Sequence, residues 1–172
     1  MSFSITAFTV PVALPPATLP AQLTALSPLD GRYRAKLEAL IPYFSEYGLI
    51  RFRVIVETAW LVALSEQTDI QEVPQFDQET LNWLTERIRQ FSVEDATAIK
   101  HIEKTTNHDV KAVEYWLKDQ FSDHPTLAAI SEFIHFGCTS EDINNLSYAL
   151  MTREGRDRVL APAMQTLIDM LE

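Results

Sequence analysis

Residues 44–65 read FSEYGLIRFRVIVETAWLVALS, and this stretch decides the fold. Tyr47, Ile50, Val54, Leu61 and Leu64 recur at steps of three, four and seven residues, which lines one face of an α-helix and fits no alternating strand. The spacing predicts a helix with one buried face. Working towards the C-terminus, Asp77 is placed as the N-cap of a second helix that carries Leu81, Leu84, Ile88 and Phe91. Ser92-Val93-Glu94-Asp95 has the form of a capping box and opens a third. Val110, Val113, Leu117 and Phe121 keep the same period up to the turn-like Ser122-Asp123-His124-Pro125, and a short helix is expected over 126–136. Beyond Gly137 and Cys138, Thr139-Ser140-Glu141-Asp142 is another capping-box pattern. It opens a segment whose apolar positions Leu146, Leu150, Leu160, Leu167 and Leu171 run to the last residue without a stop signal. Pro162 should bend that segment, because an interior proline removes one backbone hydrogen bond and crowds the turn before it.

Towards the N-terminus, Ser27-Pro28-Leu29-Asp30-Gly31 reads as a turn. The residues before it, rich in Pro, Thr and Ala, have no period and read as an extension over 1–22, irregular, disordered or lent to a neighbour. No strand pair, hairpin signal or internal repeat appears. The fold class is all-α: an N-terminal helical domain over 23–137, leading over 138–172 into the start of a long-helix segment that needs partners.

Bulk properties agree with that reading. A chain of 172 residues, 47% apolar and 22% charged, is one ordinary globular domain in size and composition. Its four glycines, against an average usage of about 7%, leave few of the turn and bulge positions that β-rich folds need. A formal charge of −10 repels phosphate backbones and anionic lipids, which argues against nucleic acid or a membrane surface as the main partner. It leaves room for a small anion held by local groups. The single cysteine, Cys138, has no internal partner, so a reducing, cytoplasmic setting is expected. The apolar opening stretch lacks a basic start and is broken by Pro11, Pro15 and Pro16, unlike a secretory signal, and no apolar run reaches the length of a membrane span.

Three groups of residues could carry chemistry. Lys104-Thr105-Thr106-Asn107-His108-Asp109-Val110-Lys111 lies where one helix ends and the next begins, where unpaired N–H groups and the helix dipole favour an anion. The plainer reading is that Thr106 and Asp109 form a capping box and the rest is solvated surface. Thr139, Ser140, Glu141 and Asp142, with Asn144 and Asn145, make a second polar helix start that capping also explains. Two such starts in one chain raise the possibility of a shared anionic ligand. Arg32 and Tyr33, just after the Asp30-Gly31 turn, offer a guanidinium fork and a phenol to phosphate or carboxylate, or are simply solvated. His101 and His135 sit in helical segments and read as packed or solvent-facing. His124 carries no assignment. Metal-binding His-Glu-x-x-His, cysteine pairs, Gly-x-Ser-x-Gly and phosphate-binding glycine loops are all missing.

Ser27 to Tyr33 (SPLDGRY), Thr105 to Tyr115 (TTNHDVKAVEY) and Ser131 to Leu146 (SEFIHFGCTSEDINNL) resemble the bacterial adenylosuccinate lyases, in order and from about Leu23 onwards. Thr139 to Asp142 is shared more widely and resembles the first signature of the fumarase, aspartase and argininosuccinate lyase superfamily. The resemblance implies an all-helical long-helix bundle and elimination of fumarate from adenylosuccinate to give AMP. It also implies the same elimination from succinylated aminoimidazole carboxamide ribotide (SAICAR) to give AICAR. Neither metal nor organic cofactor is implied.

In such an elimination a base takes the proton next to a carboxylate, an acid protonates the leaving nitrogen, and fixed donors stabilise the carbanion-like charge. The resemblance places Arg32, Tyr33, Asn107, His108, Asp109, Thr139 and Ser140 in substrate binding, with His108 supporting turnover through a substrate oxyanion. The family's acid, in Thr-His-Gly-Gln-Pro-Ala, and its base, in Ser-Ser-x-Met-Pro-x-Lys-x-Asn, do not occur in the sequence. Both would lie beyond Glu172, with most of the helices of the family's homotetramer and its shared active sites. The chain therefore reads as the N-terminal part of such an enzyme and is expected to be inactive alone. Two other readings stand beside it: a non-catalytic helical interaction module, suggested by the uncapped last helix, and another fumarate-releasing lyase of the superfamily.

Overall fold

The computed structural model describes residues 24, 26, 28–31 and 33–172; the predicted extension over 1–22, and Arg32, lie outside them. Among the described residues every regular element is helical. A short helix α1 (Ile41–Phe44) leads at Ser45 into the long helix α2 (Glu46–Ser65). The Ser45 hydroxyl caps α2 by accepting the Gly48 N–H at 3.1 Å, and it donates to the Ile41 carbonyl at 2.6 Å. Gly48 is required by this corner: a Cβ there would stand 2.8 Å from the Pro42 oxygen and 2.9 Å from the Tyr43 oxygen.

Helix α2 corrects the expectation of one buried face. Tyr47, Ile50, Val54, Leu61 and Leu64 are buried, but so are Phe52, Ile55, Val56, Ala59 and Val62 on its other sides, together with Arg51, Arg53, Glu57 and Thr58. The cause is its central place. Helices α3 (Gln78–Arg89), α4 (Val93–Thr106), α5 (Asp109–Phe121) and α7 (Ser140–Gly155) all pack against it, so apolar residues are needed on several of its sides, while Trp60 stays exposed. Fully burying a side chain such as Leu61 contributes roughly 1.5–3 kcal/mol.

The predicted caps at Asp77 and Ser92 are formed. Asp77 accepts the Thr80 N–H at 2.8 Å, while Ser92 and Asp95 exchange bonds at 2.8 and 3.3 Å. Phe91 falls after the end of α3, yet it is buried, stacked on Tyr47 and edge-on to Trp116. The single helix expected over 126–136 is instead α6 (Pro125–Ala129) and a 3-10 turn, Ser131–Phe133, because the chain leaves helical geometry at Ile130 and again at Ile134, ahead of the left-handed His135.

Ile143, Ser147, Leu150, Met151 and Gly155 are the buried positions along α7, and Ile143, Leu150 and Met151 belong to the same hydrophobic core as α2 to α5. Ahead of Pro162 the backbone widens into a π-helical segment, Arg156–Leu160, in which the Ala161 N–H bonds the Arg156 carbonyl. α8 (Ala161–Leu171) follows. The predicted irregularity thus takes the form of a π turn before the proline, which lets the ring avoid the carbonyl it would otherwise strike. Of the five apolar positions expected in this segment, Leu150 is buried, whereas Leu146, Leu160, Leu167 and Leu171 are exposed.

Candidate functional site

Helix α4 stops at Thr106 because Asn107 adopts the left-handed conformation (φ 52°, ψ 31°), which asparagine tolerates better than most residues. His108 is then extended and acts as the N-cap of α5: its Nδ1 accepts the Lys111 N–H at 3.1 Å. An imidazole nitrogen that accepts cannot carry the proton, so the neutral ring holds it on Nε2. That Nε2 lies 3.3 Å from the Ser140 hydroxyl, across 32 residues of sequence. The two polar helix starts therefore meet, and the positive ends of α5 and α7 converge on one exposed spot.

The expected box between Thr106 and Asp109 does not form. Thr106 donates its hydroxyl to the His108 carbonyl at 3.1 Å, and His108 supplies the cap itself. Asp109 is drawn elsewhere: its Oδ1 accepts the Val110 N–H at 2.9 Å and its Oδ2 accepts from Arg53 Nη2 at 2.5 Å. Partial burial pushes the Asp109 carboxyl up, but the Arg53 charge and these hydrogen bonds outweigh it and hold the group below the usual carboxylate range. The buried Arg53 also donates through Nε to Asn144 Oδ1 at 2.9 Å, so one guanidinium joins the starts of α5 and α7.

At the second start, the Thr139 N–H and hydroxyl both donate to Asp142 Oδ2, at 2.7 and 2.9 Å. The backbone bond first, then the hydroxyl, lower the Asp142 carboxyl. The approach to Thr139 is shaped by left-handed turns at His135 (φ 64°) and Gly137 (φ 72°). It is anchored to α2 twice: His135 Nδ1 is 2.6 Å from Glu57 Oε1, and Trp60 Nε1 donates to the Phe136 carbonyl at 2.8 Å. Burial pushes the Glu57 carboxyl up, against the pull of His135, and its second oxygen is buried without a partner. Burial, helped by the charges of Glu57 and Asp142, also raises the Cys138 thiol.

Of the predicted site residues, His108 and Ser140 come together, Asp109 is tied to the start of α7 through Arg53, Thr139 sits beside Ser140 with its hydroxyl committed to Asp142, and Asn107 supplies the left-handed turn before His108. Tyr33 is exposed before the turn Arg34–Lys36, and Arg32 is outside the described residues. Arg34 ties that turn by bonding the Thr24 carbonyl and hydroxyl at 2.7 and 2.9 Å and pairing with Asp30. Sequence reasoning missed Arg53 and the Glu57–His135 pair. The signal was there in two charged residues four apart inside an apolar helix, because such charges stay buried only when paired.

An apolar cleft of about 310 Å³ lies between α2 and α7, lined by Val56, Trp60, Cys138 and Leu146 among others, but not by His108 or Ser140. Among the described residues no group of three or more His, Cys, Asp or Glu is placed to hold a metal ion, and no helix is long and apolar enough to cross a membrane.

Comparison with known proteins yields consistent relatives. Residues 31–172 match the model of the lyase family. Adenylosuccinate lyase of Escherichia coli (strain K12) is 56% identical over 149 residues, covering 87% of this chain and 33% of the relative. That of Haemophilus influenzae (strain ATCC 51907) is 55% identical over 147 residues, 86% of this chain and 32% of the relative. That of Buchnera aphidicola (subspecies Acyrthosiphon pisum) is 41% identical over 150 residues, with coverage of 87% and 33%. The chain spans about a third of the length of the curated relatives it matches.

Proposed function

Because the chain belongs to the lyase family, we propose that it supplies part of the substrate site of an adenylosuccinate lyase. The reaction is β-elimination of fumarate from adenylosuccinate to give AMP, and from SAICAR to give AICAR. One observation carries this reading: 56% identity over 149 residues to a relative of that name. The meeting of His108 and Ser140 gives it a physical site.

The substrates carry a phosphate and carboxylates, and two convergent helix starts suit such anions. With Nδ1 committed to Lys111, His108 presents an Nε2–H donor that can leave Ser140 for a substrate oxygen on which charge develops. Ser140 adds a donor at the same place, and Asn107 is assigned to the substrate by the resemblance. Asp109 acts by holding Arg53, and Thr139 by setting the start of α7. Arg32 and Tyr33 are assigned to the substrate by the resemblance. No cofactor is proposed. The complete assembly is read as a cytoplasmic homotetramer with shared sites, its central bundle beginning near residue 138.

The test is a chimera. Residues 31–172 replace the matching part of the Escherichia coli enzyme, and fumarate release from adenylosuccinate is followed spectrophotometrically. Turnover is expected, with kcat falling at least about tenfold in His108→Ala; an assembled chimera with no turnover overturns the reading. The 172-residue chain alone is expected to release no fumarate, since donors without an acid and base forgo most of the transition-state stabilisation.

A further inference from the structure

We propose that Arg53 is the positioning residue of this site: by bridging Asp109 and Asn144 it sets the contact between His108 and Ser140. The part that concerns turnover rests on the lyase reading; the geometric part does not. Asp109 directly follows His108, and Asn144 lies one helical turn after Ser140 on the same face of α7. The two partners of the guanidinium are thus the two residues best placed to fix the two members of the contact. Their distances, 2.5 and 2.9 Å, are shorter than the 3.3 Å between His108 and Ser140. The strong bonds lie beneath the site and the weak one at its surface, which leaves the His108 donor held in place yet ready to change acceptor.

Arginine suits this task because its planar fork presents donors to two acceptors at once and cannot lose its charge. Lysine keeps the charge but offers no fork, so Arg53→Lys should retain one partner at most. Removing the amide acceptor with Asn144→Ala cuts the link to α7 and leaves the buried cation paired with Asp109.

The experiment is a double-mutant cycle in the full 172-residue chain, read on the His108 Nε2 signal by long-range ¹H–¹⁵N NMR at alkaline pH, where imidazoles are neutral. Ser140→Ala should shift that signal in the wild-type background, and the shift should shrink at least about threefold when Arg53→Lys or Asn144→Ala is already present. A role in folding alone would lower stability without erasing the effect of Ser140→Ala, so an undiminished shift in either background overturns the proposal. Should Arg53→Lys fail to fold, Asn144→Ala carries the test by itself. In the active chimera, Asn144→Ala should lower kcat more than it raises KM, and should have little effect once His108→Ala is present; independent, multiplicative losses would count against the proposal. An inactive chimera alongside coupled NMR shifts would refute the lyase reading while leaving the positioning role intact.

Discussion

Thr106-Asn-His-Asp109 and Thr139-Ser-Glu-Asp142 have the same residues at their ends and the same spacing, and both precede a helix. In the second, the aspartate turns back onto its own threonine, as the pattern predicts. In the first it turns away, to a buried guanidinium 56 residues earlier in the chain. The helix then starts at that aspartate, capped by the imidazole one residue before it. Asp109 gains more from Arg53 than from one amide N–H, because the guanidinium brings a full opposite charge where the amide brings only a dipole. A local motif therefore holds only where no stronger distant partner competes for its side chain.

The largest effect should come from removing that competitor. Arg53→Met keeps the bulk and deletes both charged hydrogen bonds, and chemical denaturation should register a loss of about 2 kcal/mol, moderated because Asp109 is half exposed and can turn to water. An unchanged midpoint would mean that the guanidinium does not hold the first helix start. Next is the cap. His108→Ala should cost about 1 kcal/mol, and His108→Asn should recover most of it, since an amide oxygen can accept the Lys111 N–H; equal losses would deny His108 its capping role.

The residues that turn the chain into each start provide a matched pair. Gly137→Ala adds a Cβ on left-handed backbone and should cost about 1 kcal/mol, whereas Asn107→Ala keeps a Cβ already there and should cost less, and Asn107→Gly should not destabilise. Nothing lies within 4 Å of a Cβ built at Gly137, so its penalty is purely conformational.

The smallest differences should appear in the dependence on pH. Asp109 and Asp142 both have lowered folded-state values, so each contributes stability that is present above the unfolded carboxyl range and lost as pH falls through the folded one. Arg53→Met should flatten the Asp109 part of that acid limb and leave the Asp142 part. Glu57 runs the other way: raised by burial, it favours the fold most below its unfolded value, and that contribution fades as pH rises through the folded value. Glu57→Gln should remove that decline in urea titrations repeated across pH, and an unaltered slope would show that Glu57 does not titrate differently on folding.

Much of the fold was legible because its causes are local. Asp77 and Ser92 reach a backbone amide three residues away, and the period of Val110, Val113, Leu117 and Phe121 is a property of one helix. What was hidden depends on neighbours distant in sequence. The cover on several sides of α2 comes from helices distant in sequence, and the end of 126–136 is tied down by Glu57 and Trp60, which bond His135 and the Phe136 carbonyl. At the site, the polar residues at both helix starts could be read directly, but the arginine that joins them could not, since its partners are 56 and 91 positions away.

The wide turn at Arg156–Leu160 has a consequence for everything after it. One extra residue would rotate all later side chains of an unbroken α-helix by ~100°, and a π turn takes that residue up within a single turn. Before it α7 buries Ile143, Leu150 and Met151, and after it Met164, Leu167, Ile168 and Leu171 are exposed. Deleting one residue within 156–160 should therefore restore an ordinary α-helical turn without rotating the side chains of α8 relative to those of α7.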